Sequence, residues 1–305
     1  MEGYILKTIS LNKKYNGKVV LKNLNMSIKR GDIYGLIGKN GAGKTTLMRL
    51  ITGLANLSSG SIEIFDADNV KSITSERKRI GALIEMPAFY GDMTAIDNME
   101  LVRLQKGIPG KACIKEKLEL VGLTNIEKKK VKDFSLGMKQ KLGLAMALLG
   151  DPELLILDEP MNGLDPMGIV HIRELLKNLN KEKGITILIS SHLLSELNQL
   201  ATSYGILNNG EIVEELTQSE LDDRCKKALE IKTDNLKKTT WVLENILKTT
   251  NYKVLPDKVI KIYEYINEAG EVSKALSEEG IVIYQISVSG DNLESYFMGI
   301  VGGNI

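Results

Sequence analysis

Apolar positions in the first third of the chain fall into short runs rather than helical stripes. Gly3 to Ile9 and Val19 to Ile28 predict β-strands, with Asn16-Gly17 between them as a hairpin turn. Asp32 to Ile37 is an apolar run of the fully buried kind that leads into a glycine-rich turn. From Lys44 to Leu54 the spacing becomes helical, with Leu47, Leu50, Ile51 and Leu54 on one face. Ser61 to Phe65 and Ile80 to Ile84 return to strand character, and Pro87 biases Met86 toward an extended backbone.

The middle of the chain is helical. Thr94-Ala-Ile-Asp97 carries a capping-box pattern with Asp in the Glu position and opens a helix to about Lys106. Lys111 to Val121 predicts a second helix, stopped by Gly122, and Ser135 starts a third that runs to about Leu149. Strand and helix then alternate: strand Leu154 to Leu157, helix Met167 to Lys181, strand Thr186 to Ser190, helix Leu193 to Leu200. That alternation implies an α/β fold with a parallel sheet covered on both faces.

Beyond Glu215 the character changes, and the charged stretch Glu220 to Lys227 marks a boundary. The remainder reads strand (Ala228–Lys232), helix (Leu236–Thr249), strand (Lys253–Leu255), strand (Val259–Tyr263), helix (Glu268–Ser277), strand (Ile281–Val288). This order is the split βαβ, ferredoxin-like arrangement. Two domains are therefore expected, residues 1–220 and a small α+β module over 225–305.

Composition narrows the class. With 305 residues, 43% hydrophobic and 26% charged, the chain is globular and long enough to bury a core without disulfides. Its 40 basic and 39 acidic residues leave a net charge of +1, which argues against a protein that binds polyanions through overall charge. Cys113 and Cys225 are isolated, so neither a zinc site nor a disulfide framework is expected, and a reducing compartment fits. The N-terminus lacks the apolar core of a signal peptide. The longest uncharged apolar stretch, Leu142 to Gly150, is about half a membrane span. A soluble, cytoplasmic chain is expected.

Gly38-Lys39-Asn40-Gly41-Ala42-Gly43-Lys44-Thr45 matches the phosphate-binding pattern G-x-x-x-x-G-K-[ST], after a buried strand and before a helix. Successive backbone N–H groups of such a loop curl around phosphate oxygens, and the helix N-terminus adds partial positive charge. Lys44 would sit between β- and γ-phosphates, and the Thr45 hydroxyl would ligate Mg²⁺, with Thr46 following in the first turn. The bland reading is a glycine-rich turn that happens to precede a lysine. Leu154 to Leu157 followed by Asp158-Glu159 supplies two carboxylates at the ligand-binding edge of a parallel strand. Asp158 is the candidate metal ligand, through water, and Glu159 the candidate general base for attack on the γ-phosphate. Taken alone, that acidic pair could equally be a solvated loop.

Between these motifs lies Phe134-Ser135-Leu136-Gly137-Met138-Lys139-Gln140, which resembles the signature of ATP-binding-cassette (ABC) proteins. Gly163-Leu164-Asp165 resembles the family's D-loop, Ser190-Ser191-His192 its switch histidine, and Tyr15 stands where the family places an adenine-stacking aromatic. Together these cover residues 1 to about 215. The resemblance implies a P-loop cassette with a parallel-core sheet, an antiparallel β subdomain and an α-helical subdomain. It implies ATP and Mg²⁺, and a second cassette (a homodimer or a close paralogue) whose Ser135 and Gly137 cap the other subunit's γ-phosphate. His192 would bond the γ-phosphate; His171, mid-helix, reads as structural.

Three departures from the family matter. Leu136 and Met138 replace the usual glycine and glutamine, and a leucine makes positive-φ turns at a cost, so an altered local loop is expected. Glu85 replaces the glutamine that contacts Mg²⁺ and the attacking water, so it is a candidate metal contact and a link to a membrane partner. That glutamate, the FSLGMKQ signature and the Tyr296 to Gly303 terminus resemble the bacitracin-resistance and lantibiotic-immunity branch of ABC transporters.

The resemblance thus implies the ATP-hydrolysing subunit of a bacterial exporter of peptide antibiotics. It would work with a separate integral-membrane permease, at the cytoplasmic face of the membrane, with no nucleic acid. The competing reading is a soluble ABC-type ATPase acting on ribosomes or DNA. Ribosome-acting members usually carry two cassettes, and chromosome-type members place a long coiled coil between Lys44 and Ser135. A P-loop GTPase lacks support, since no Asn-Lys-x-Asp motif is present. Glu127-Lys-Lys-Lys-Val-Lys132 reads as a solvated turn, with anionic lipid or a membrane partner as the sharper alternative.

Overall fold

The first two apolar runs pair as one long hairpin, β1 (Tyr4–Tyr15) with β2 (Lys18–Lys29). Asn16 and Gly17 both turn at positive φ, 47° and 82°, as an Asn-Gly hairpin requires. This computed structural model describes residues 3–85, 88–126, 128–290 and 293–302, so the expectations for Met86-Pro87, for Glu127 and for Gly303 lie outside it. The chain divides into two units, residues 1–218 and 219–305.

The first unit continues with β3 (Ile33–Ile37), α1 (Lys44–Thr52), β4 (Ser59–Ile64), α2 (Val70–Glu76) and β5 (Ile80–Leu83). Three helices follow: α3 (Ala95–Gln105), α4 (Ala112–Leu120) and α5 (Leu136–Ala147). The unit closes with β6 (Leu154–Asp158), α6 (Pro166–Lys183), β7 (Thr186–Ser190), α7 (Leu194–Asn198), β8 (Ser203–Asn208) and β9 (Glu211–Thr217). One sheet has the order β2-β1-β4 and is antiparallel. The other has the order β5-β6-β7-β3-β8-β9, parallel throughout except for the β8-β9 pair. Parallel core, antiparallel β sheet and helical segment are the three parts that the cassette resemblance implies.

Several elements go beyond the sequence reading. α2, β8 and β9 were not expected. The β8-β9 turn is Asn209-Gly210, at φ 48° and 83°, the same hairpin signal as Asn16-Gly17. The Thr94 capping box is present, with the Thr94 hydroxyl accepting from the Asp97 N–H and Asp97 accepting from the Thr94 N–H. The core holds the sheets together around α1. Leu6, Leu24, Met26 and Ile64 from the antiparallel strands pack in one cluster with Leu47, Met48 and Ile51 of α1, all within 2% of complete burial. Each such side chain contributes roughly 1.5–3 kcal/mol.

The second unit comprises α8 (Gln218–Arg224, beginning on the last residue of the first), β10 (Ala228–Thr233), α9 (Leu236–Asn245), β11 (Tyr252–Leu255), β12 (Val259–Ile262), α10 (Ala269–Glu278), β13 (Ile283–Ser289) and α11 (Leu293–Gly302). Its sheet order is β11-β12-β10-β13, antiparallel throughout. Leu229, Ile231, Ile260 and Ile262 on the strands pack against Val242, Leu243, Val272 and Leu276 on the helices. No helix among the described residues is long and apolar enough to cross a membrane.

Candidate active site

The carboxyl ends of three neighbouring parallel strands define one edge. Ser190, at the end of β7, lies opposite Leu36 on β3 and opposite Asp158 on β6. Ligands of open parallel sheets bind at this edge. β3 is buried along its whole length, which fixes where the glycine loop leaves the sheet.

Two glycines of that loop have no substitute. Gly43, the N-cap of α1, has φ 116°, and a Cβ there would lie 2.6 Å from the Leu21 side chain. At Gly38 a Cβ would lie 2.7 Å from the Leu207 carbonyl oxygen. The backbone therefore runs where side chains cannot, and the first N–H groups of α1 have no carbonyl within the helix to bond. Lys44 is 8% exposed, and its ammonium donates to the Gly38 carbonyl at 2.7 Å and the Lys39 carbonyl at 3.5 Å.

A chain of short hydrogen bonds links the strand ends. The Thr45 hydroxyl donates to Asp158 Oδ2 at 2.6 Å, and the Ser190 hydroxyl donates to Asp158 Oδ1 at 2.6 Å. Ser190 Oγ also accepts from the Glu159 N–H at 3.1 Å. Glu159 sits at φ 52°, in the left-handed region. Its carbonyl accepts from the Gln140 side-chain amide at 3.1 Å, and its Oε2 accepts from the His192 N–H at 3.1 Å and lies 2.5 Å from His192 Nδ1. With Nδ1–H directed at a carboxylate, Nε2 is the ring nitrogen left for a ligand.

These groups surround a cavity of about 580 Å³. The glycine loop and α1 contribute Asn40, Gly41, Gly43, Lys44, Thr45 and Thr46. Glu85, Asp158, Glu159 and Asn162 stand around them, Val20 enters from β2, and Leu136 and Gln140 enter from α5. Glu85 also has a left-handed backbone, φ 57°, and its Oε2 accepts from Arg49 at 2.7 Å.

The structure thus brings Lys44, Thr45, Thr46, Glu85, Asp158 and Glu159 to one cavity, with His192 joined to it through Glu159. Gly38, Lys39 and Ala42 shape the loop without lining it among the described residues. Tyr15, Ser135 and Gly137 also lie off the cavity. Tyr15 is 41% exposed at the hairpin end, with the Lys13 ammonium 4.4 Å from its ring centre. Ser135 caps α5 by accepting from the Met138 N–H. The expected distortion at Leu136 does not occur: it is the first residue of α5, outside the positive-φ set, so no glycine is required there. Its side chain instead fills the space where a Cβ on Gly163 would stand. His192 does not cap α7, whose cap is Leu193. His171 is exposed on α6, beside Gly122.

Ser190, Gln140, Asn162 and Arg49 were not singled out from sequence as site residues. Ser190 carried a readable signal as the last residue of a buried parallel strand, and Gln140 as the end of the signature segment. No group of three or more His, Cys, Asp or Glu side chains able to hold a metal occurs among the described residues. One carboxylate with one hydroxyl suits a hard cation that keeps waters and takes its remaining ligands from phosphates. A loop of bare backbone with a lysine and a helix N-terminus suits the phosphates themselves.

Residues 21–162 match the ABC transporter family. Over 98% of its length the chain is 44% identical to the bacitracin transport ATP-binding protein BcrA of Bacillus licheniformis, covering 98% of that protein. It is 46% identical, over 68% of its length, to the lantibiotic transport ATP-binding protein SrtF of Streptococcus pyogenes, covering 89% of it. Among solved structures it is similar to the dimeric post-hydrolysis state of the ATP-binding cassette MJ0796 bound to ADP and Pi, with TM-score 0.65, 25% identity, and coverage of 70% of this chain and 98% of that one. It is also similar to an ATP-binding subunit of an ABC transporter, with TM-score 0.65, 30% identity, and coverage of 72% and 92%.

Proposed function

Because the chain belongs to the ABC transporter family, as an ATP-binding subunit that hydrolyses ATP, we propose that it drives export of peptide antibiotics through a separate membrane permease. It would act at the cytoplasmic face of that permease and work as a pair of cassettes, identical or paralogous. The relatives named for bacitracin and lantibiotic transport support this substrate class. No observation favours a ribosome- or DNA-acting ATPase.

One observation carries the site assignment: Thr45, Asp158 and Glu159 line the same cavity as the glycine loop and are tied into one hydrogen-bonded set through the buried Ser190. The loop from Gly38 to Thr46 binds the phosphates of ATP through its backbone, and Lys44 turns its ammonium from the Gly38 carbonyl to them. Thr45 and Asp158 would hold Mg²⁺, with Glu85 nearby, and the metal would supply charge neutralisation of the phosphate oxygens when bound. Glu159 accepts a proton from the attacking water, and His192 orients Glu159 through Nδ1 while Nε2 faces the γ-phosphate. Tyr15 stacks on adenine. Ser135 and Gly137 serve the partner cassette's nucleotide, in keeping with their position off this chain's own cavity.

Glu159→Gln tests the assignment. It keeps the side chain's shape but removes the base, so ATP binding should persist while hydrolysis slows about 10²–10⁴-fold. In a strain deleted for the gene, the variant should fail to restore resistance to bacitracin or a lantibiotic that the parental gene restores. Parental hydrolysis by the variant would refute the role of Glu159. Unchanged antibiotic sensitivity on deletion would refute the substrate class.

A further inference from the structure

The carboxylates lining the nucleotide cavity differ in what balances them. Asp158 is bonded by two uncharged hydroxyls, those of Thr45 and Ser190. Glu159 is bonded by backbone and imidazole of His192. The Lys44 ammonium is committed to the Gly38 and Lys39 carbonyls. Glu85 alone among these three acids is paired with a permanent cation, Arg49, at 2.7 Å.

Arg49 stands one helical turn beyond Thr45 on α1, the helix whose N-terminus opens onto the cavity. Glu85 reaches it from a left-handed backbone, φ 57°, a conformation that glutamate adopts rarely. A polyphosphate entering this cavity meets three carboxylates. An unpaired Glu85 would add its full charge to that repulsion, whereas a guanidinium–carboxylate pair presents close to none.

We propose that Arg49 is a positioning residue of the nucleotide site: it holds Glu85 aside and cancels its charge, so that this cavity accepts a polyphosphate although an acid lines it. The proposal rests on the reading of the cavity as the ATP site. It also gives the glutamate at position 85 a partner within its own chain.

The test is a four-protein cycle: the full-length parent, Arg49→Gln, Glu85→Gln and the double variant. ATP binding is titrated by calorimetry at low salt, once with EDTA and once with Mg²⁺, and thermal unfolding is recorded for each protein. In the parental background Arg49→Gln should weaken ATP binding about tenfold, the effect of one unbalanced charge beside a polyphosphate. In the Glu85→Gln background the same change should alter binding by less than about twofold, because Arg49 does not itself line the cavity and no carboxylate is left there for it to hold aside. An equal loss in both backgrounds would overturn the proposal, because Arg49 would then act on phosphate or on α1 directly; so would no loss in either. If Arg49→Gln lowers the unfolding temperature, Arg49→Lys replaces it, and that variant must keep most of the parental affinity. Absence of ATP binding by the parent under both conditions would refute the nucleotide-site reading instead, which keeps the two failures apart.

Discussion

Ser190→Ala removes one oxygen from a completely buried position and leaves the packing of β7 otherwise intact. That oxygen makes two bonds at the centre of the site, donating to Asp158 Oδ1 at 2.6 Å and accepting from the Glu159 N–H at 3.1 Å. Loss of a hydrogen bond to a buried charged group costs about 1.5–3 kcal/mol. The Glu159 N–H retains a second acceptor, the Ser190 carbonyl at 3.3 Å, so its share is smaller, about 0.5 kcal/mol. The first unit should therefore lose about 2–3.5 kcal/mol of stability. Trp241, the one tryptophan, lies in the second unit, so its fluorescence reports the wrong part of the chain. Urea unfolding is better followed by far-ultraviolet circular dichroism together with retention of ATP binding. Hydrolysis should fall about 10–100-fold, as when the support of a metal-binding carboxylate is removed, while adenine recognition is untouched. A variant within about 0.5 kcal/mol of the parent that hydrolyses ATP at the parental rate would show that Ser190 neither anchors Asp158 nor holds Glu159.

Two further outcomes follow from the architecture. Lys44→Ala should abolish measurable ATP binding in calorimetry, since the cavity then lacks the loop's one lining ammonium, Lys39 lying off it; parental affinity would contradict the role given to Lys44. A chain ending at Gln218 should still bind ATP, because every candidate nucleotide residue precedes that point. Loss of binding in a well-folded truncation would mean that the second unit contributes to the site.

What the sequence made legible was whatever it stores contiguously. Gly38 to Thr45 and Asp158-Glu159 each place their chemistry on adjacent residues at the end of an apolar run, so strand, turn and ligand can be read together. The β8-β9 hairpin was equally legible, through Asn209-Gly210, yet Ser203 to Asn208 is short and mixed enough to pass as loop. Contacts that join distant segments left no such trace. Gln140 reaches Glu159 from α5, and Arg49 reaches Glu85 from α1. Neither residue type nor spacing reveals such a bond before the sheet order is known. Leu136 was misread for the opposite reason: a glycine usual at that position suggested a conformational demand, whereas the chain there is already helical.

The two acids at φ 52° and 57° show where local preference and site chemistry diverge. Left-handed backbone costs a non-glycine residue roughly 1–2 kcal/mol, and glycine at either position would remove that cost. Glycine would also remove the carboxylate, and at position 159 no neighbour could supply it, since Asp158 is already bonded on both oxygens. The strain persists because long-range bonds outweigh it. Glu159 is held at its N–H, its carbonyl and its carboxylate by Ser190, Gln140 and His192, from two separate segments, α5 and the end of β7. Among the described residues Glu85 has one side-chain partner, Arg49. Glu159 is therefore fixed through backbone and side chain together, whereas Glu85 is placed by one ion pair, so that removing Arg49 would free its carboxylate. The same backbone anomaly thus yields an acid held at three points at the end of β6 and one placed by its charge partner after β5, as expected if the first performs chemistry and the second must be kept from opposing the phosphates.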